Sequence, residues 1–164
     1  MLTKHQDFAS PQPPASGAAG AVGETGYILG FAGLLPQIAA VASLALGMSS
    51  DIGHCFAFAY AGLVFSFVGG AWWGLAVQRS HCQGMLLIIA VVPSLIVAAL
   101  ALALVSSTIP LRPALVVLGA GLMLMLPMDR NLVAAGDAPA GWMMLRTPLS
   151  LGLGALTLIA GVLA

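Results

Sequence analysis

Long apolar runs separated by short polar links set the pattern of this chain. Five follow one another, over 26–48, 56–78, 84–106, 111–127 and 142–163. A helix needs about 20 mostly apolar residues to cross a hydrocarbon core about 30 Å thick. The fourth run is short, and is expected to stand nearly upright or to be extended by interfacial residues. Inside lipid every backbone polar group must be satisfied within the chain, so spans of this kind are helices. The pattern therefore predicts an all-α membrane protein, a bundle of five transmembrane helices filling 26–164. Residues 1–25, rich in Pro, Ala, Ser and Gly, lack the apolar run of about 7–15 residues that a secretory signal requires, and read as a disordered tail.

Composition agrees. With 60% hydrophobic and 6% charged residues and a mean hydropathy of +1.06, the chain departs from soluble domains, which carry about 25% charged residues. Formal net charge is zero, with five basic and five acidic residues placed singly, so neither nucleic acid nor an anionic lipid patch is implied as a partner. Five spans put Lys4, Arg79, Arg130 and the start of the last span, near Arg146, on one side, with Arg112 alone on the other. The positive-inside rule then places the N-terminus in the cytoplasm.

Within the second run Gly62, Ser66, Gly70 and Gly74 recur every fourth residue, with Gly69 and Trp73 beside them. That spacing places them on one helical face, and small residues on one face let two helices approach closely in lipid. Gly26, Gly30 and Gly33 repeat the spacing in the first run, so the two faces are expected to pack together. The competing reading is a cavity roofed by Trp72 or Trp73. Pro36 and Pro93 should kink the first and third spans. Pro148 offsets the start of the fifth.

Few side chains in the spans carry chemistry. Gln37 lies where an unpaired amide is costly and should face protein. Arg146 falls one turn inside the fifth span. Its expected partner is Asp129, and the two either clamp spans four and five or leave Arg146 facing a vestibule that binds an anion. His54-Cys55 and His81-Cys82 are separated by the whole second span, about 40 Å at 1.5 Å per residue. They form neither a disulfide nor a closed zinc site. Met123, Met125, Met128, Met143 and Met144 do not share a face and read as fillers rather than as soft-metal ligands. The spans contain no Asp, Glu or Lys, and no nucleophile-base set or phosphate loop occurs. An intramembrane hydrolase and a carboxylate proton relay are disfavoured, and no cofactor or metal is expected.

Several segments together resemble a known family. GFAGLLP at 30–36, YAGLVFSFVGGAWWGLA at 60–76, VPSLIV at 92–97 and the APAGWMMLRTPLS stretch that follows Asp129 are similar to domain-of-unknown-function family 3429, which also includes the mitochondrial transmembrane protein 69. The block of Ser66, Phe67, Gly69, Gly70, Trp73 and Gly74 is the most specific part. Gly33, Pro36, Tyr60, Pro93, Asp129, Pro139, Trp142 and Arg146 match elsewhere. Trp72 stands where a basic residue is common, and Gln37 where an aromatic is. The resemblance implies a small multi-pass protein of bacterial inner membranes or mitochondria, without an assigned activity.

Two functions are compatible with these residues. The first is a non-enzymatic assembly or accessory component acting through helix contacts, as a homo-oligomer or with a membrane-protein partner. The second is a small-solute or anion carrier or binding protein, its pocket among Gln37, Tyr60, Ser66, Trp73, Trp142 and Arg146. A lipid-modifying enzyme would have only the region between Asp129 and Arg146 to use.

Overall fold

In a computed structural model the residues described are 22–48, 50–79 and 83–164, so the expected tail falls, as far as residue 21, outside them. Every regular element among these residues is a helix, and five helical stretches are long and apolar enough to cross a membrane. The protein is an all-α bundle of five transmembrane helices.

The first span consists of two helices, α1 (Glu24–Ala32) and α2 (Leu35–Ala45). Pro36 has no N–H to offer the carbonyl of Ala32, and its ring fits a first turn best. The chain accordingly breaks at Gly33 and Leu34 and restarts with Pro36 in the first turn of α2. The bend is thus a break just upstream of Pro36. The Tyr60 hydroxyl donates to the Gly33 carbonyl, tying the break to the next span.

That span, α3 (Ser50–Val77), begins six residues before the expected start at 56. Asp51 in its first turn suits the positive end of the helix dipole, and His54 is buried within it. The third span, α4 (Gln83–Val105), runs helical through Pro93. The fourth extends past its expected end at 127. It comprises α5 (Leu111–Leu124), a break at Met125 forced by Pro127, and α6 (Leu126–Ala134), so 128–134, expected as polar connection, is helix. The fifth is α7 (Trp142–Leu163), with Pro148 inside it.

Three helix ends close in the same way. Gly47, Ser107 and Gly136 take left-handed φ of 69°, 54° and 78°, while the next residue's N–H reaches back to Ser43, Ala103 and Leu132 respectively. These bonds satisfy last-turn carbonyls within the chain.

Helix packing departs from the expected pairing. The small face of α3 meets α4: a Cβ at Gly69 would collide with the Ala90 carbonyl oxygen and stand 3.2 Å from the Pro93 ring, and one at Gly62 would stand 3.0 Å from Val97. Gly30 lies against Leu145 and Leu149 of α7 instead of against α3. Gly70 and Gly74 have nothing within 4 Å of an added Cβ and are exposed, as are Phe67 and Trp73. The expected seam therefore divides into an inner part at Gly62 and Gly69 and an outer part at Gly70, Trp73 and Gly74, with Ser66 half-buried between them. The buried side of α3 is the adjoining one, Ala57, Ala61, Phe65, Val68, Trp72 and Ala76, again at three- and four-residue steps.

A second close approach, between α5 and α7, is reciprocal. A Cβ on Gly119 would lie 2.9 Å from the Gly154 carbonyl oxygen, and one on Gly154 would lie 2.9 Å from that of Gly119. Without side chains at either position the two backbones touch directly, the geometry that stabilises helix pairs in lipid.

A buried carboxylate centre and the groove beside it

Asp129 is the centre of the polar interior. It lies on α6, is 0% exposed, and accepts three hydrogen bonds from three directions. Oδ1 takes the indole N–H of Trp72 at 2.9 Å and of Trp142 at 3.0 Å, and Oδ2 takes Nε of Arg146 at 3.1 Å. A group that accepts at both oxygens and donates nothing has the pattern of a carboxylate. The donors come from α3 and α7 and the acceptor from α6, so the centre fastens these three helices to one another about one turn inside the bundle's end.

Local sequence explains each placement. Pro127 starts α6 and puts Asp129 in its first turn. Gly141 (φ 82°) precedes α7, and its carbonyl accepts the Tyr27 hydroxyl at 3.2 Å. A Cβ there would meet that hydroxyl at 2.6 Å, so only glycine allows α1 and the start of α7 to close. Trp142 is the first residue of α7 and Arg146 lies one turn on, with its guanidinium carbon 6.0 Å from the Trp142 ring centroid, within cation-π reach. Just outside, Arg79 Nε donates to Asp137 Oδ2 at 2.6 Å, and Nη2 bonds the same oxygen. The turn that closes α6 positions Asp137 for this pair.

Arg146 offers Asp129 only its Nε edge. Nη2 is buried without a partner, as is the hydroxyl of Ser150 one turn along α7. Both residues are nine-tenths or more buried and both line a cavity of about 190 Å³ between α1, α3, α5 and α7, together with Tyr60, Gly30 and Gly33. A second cavity of about 420 Å³ adjoins it, lined by Trp142, Leu145 and Ala71. The two share Leu29, Gly30, Phe67, Arg146 and Leu149, and so form one groove. Apart from Arg146, Ser150, Tyr60 and the indole of Trp142, its walls are apolar.

The remaining candidates lie elsewhere. Gln37, 0% exposed, donates from Nε2 to Thr157 Oγ1 at 3.0 Å and to the Ala57 carbonyl at 3.4 Å, clamping α2 to α3 and α7 and taking no part in the groove. Trp73 and Ser66 do not line it either. Cys55 is an exposed free thiol, His81 and Cys82 lie outside the described residues, and no group of three or more His, Cys, Asp and Glu among the described residues could hold a metal ion. The sequence offers Trp72 only as a possible cavity roof and as a departure from the family pattern, not as a donor to Asp129, and it does not point to Ser150. Trp72 belongs to the four-residue ladder of Ala61, Phe65, Val68 and Ala76, which could have marked it as inward-facing. No sequence signal marks Ser150 beyond its four-residue spacing from Arg146.

A family model described as protein of unknown function, DUF3429, matches residues 22–162. The chain belongs to that family. No curated protein and no solved structure matches it. Of the residues that carried the DUF3429 resemblance, Asp129, Trp142 and Arg146 meet at the buried centre, Gly33 and Tyr60 bond at the break in the first span, and Gly69 and Pro93 pack together between α3 and α4.

Proposed function

We propose that this DUF3429 protein is a non-enzymatic integral membrane protein that binds a small hydrophobic molecule in the groove beside Arg146. One observation carries the reading. Two buried hydrogen-bond donors on successive turns of α7, Arg146 Nη2 and the Ser150 hydroxyl, have no protein partner and line the same largely apolar cavity. Buried polar groups are normally paired, and an apolar pocket with a few convergent polar atoms is the usual form of a ligand site. A bilayer-soluble diazirine probe tests it: label should concentrate at 145–149 and on Leu29, and should drop when Leu149→Trp fills the groove. Label spread evenly over all outward faces would contradict it.

A second reading is favoured by the outward strip of Gly70, Trp73 and Gly74: an assembly or accessory component whose α3 packs against a second copy or another membrane protein. Cross-linking in native membranes from position 70 would recover that partner, and recovery of monomer alone would count against it. The basic residues at the end of the bundle that holds Arg79, set against Arg112 at the other, support an N-terminus in the cytoplasm. The proposed location is the bacterial inner membrane, or alternatively the mitochondrial inner membrane.

A further inference from the structure

Charge at the groove decides what it can take. Among the described residues Arg146 is the only ionised side chain lining it, and its charge is already met by Asp129, which accepts three hydrogen bonds and donates none. An anion beside Nη2 would leave the site with a net negative charge in apolar surroundings, where an uncompensated charge is very costly. A neutral acceptor leaves it balanced. The two free donors sit one turn apart on α7, and a carbonyl oxygen, with two lone pairs, can accept from both. The approach is also apolar: Leu29 of α1 and Phe67 of α3 line both cavities and are largely exposed, so the mouth opens sideways among acyl chains.

We propose that the groove holds an uncharged, lipid-soluble carbonyl compound that enters laterally from the bilayer and accepts hydrogen bonds from Arg146 Nη2 and the Ser150 hydroxyl. The proposal rests on the binding reading above and stands in place of the anion that the sequence offered as one of two alternatives for Arg146. The occupant is a free lipophile dissolved in the membrane, rather than the ester of a bulk bilayer lipid.

The test uses the full chain in nanodiscs at pH 8, with a diazirine-bearing fatty acid and its methyl ester compared at equal mole fraction in the membrane. The ester should half-saturate labelling of 145–150 at a concentration at least about tenfold lower than the acid, a difference of about 1.4 kcal/mol. Asp129→Asn, which removes the compensating charge, should narrow or reverse that preference, and the wild-type comparison stands even where this variant does not fold. An acid that labels as well as the ester overturns the assignment of an uncharged occupant while leaving a binding site. Labelling by neither overturns both. Labelling by the ester only in discs of ether-linked lipid would show that lipid esters hold the groove, and would overturn a free lipophile as occupant.

Discussion

Asp129→Ala is the most informative single change, because it removes the acceptor for three buried donors at once. Breaking a buried ion pair by deleting one partner costs about 3–5 kcal/mol, since the other charge is left uncompensated, and each orphaned indole N–H adds about 1–3 kcal/mol where no water reaches it. These terms overlap, so the expected loss is about 4 kcal/mol or more, against a total stability for a domain of about 5–15 kcal/mol. Asp129→Asn keeps an acceptor for the indoles and should lose less. The double variant Asp129→Ala/Arg146→Leu removes the stranded charge; an arginine at a helix centre costs about 2.5–3.5 kcal/mol on insertion scales, and one nearer the end costs less. It should therefore be more stable than Asp129→Ala alone by up to that amount. Reversible unfolding in mixed micelles, followed by circular dichroism, measures all three. Added salt should change the wild-type value little, because buried pairs are poorly screened. An Asp129→Ala protein within about 1 kcal/mol of wild type, a typical net value for one hydrogen bond, or a double variant no more stable than the single, would refute the account of the centre.

Other substitutions probe the remaining contacts by the same unfolding assay. Gly119→Ala or Gly154→Ala should each lose about 1–3 kcal/mol by overpacking, because the new methyl meets the facing carbonyl at 2.9 Å, whereas Gly70→Ala should be neutral. Ser107→Gly should stabilise by up to about 1 kcal/mol, since a left-handed φ of 54° is strained for serine. Asp137→Ala should cost at most about 1 kcal/mol, diminishing in high salt, because its pair with Arg79 is partly exposed.

How much of this was legible before the structure differs from element to element. The lengths of the apolar runs predict five spans because lipid enforces length and apolarity directly. The pairing of Asp129 with Arg146 follows from two lone charges near the same end of adjacent spans. What the sequence hides is which side of each helix faces inward. In a soluble bundle the polar face points outward and reveals the apolar one, but α3 is apolar all round, and hydropathy does not separate the Ala61, Phe65, Val68 and Trp72 side from the Gly70 and Trp73 side. Glycine spacing signals that some helix approaches, without saying which: Gly69 receives α4 and Gly30 receives α7. Trp72 and Trp73 are neighbours in sequence, yet one donates to Asp129 and the other faces outward. The extension of the fourth span was hidden for a different reason. Asp129, Arg130 and Asn131 read as a polar link, whereas Asp129 turns inward to three donors and lets the helix continue to Ala134.

The two orientations of those tryptophans provide the most direct measurement. In nanodiscs, the indole ¹H–¹⁵N signals of Trp72 and Trp142 should be shifted downfield by bonding to a carboxylate, protected from solvent exchange, and moved together by Asp129→Asn, while the signal of Trp73 stays put and serves as the internal control. Trp72 and Trp142 signals that exchange as fast as that of Trp73, or that ignore the change at position 129, would contradict a carboxylate centre joining the three helices.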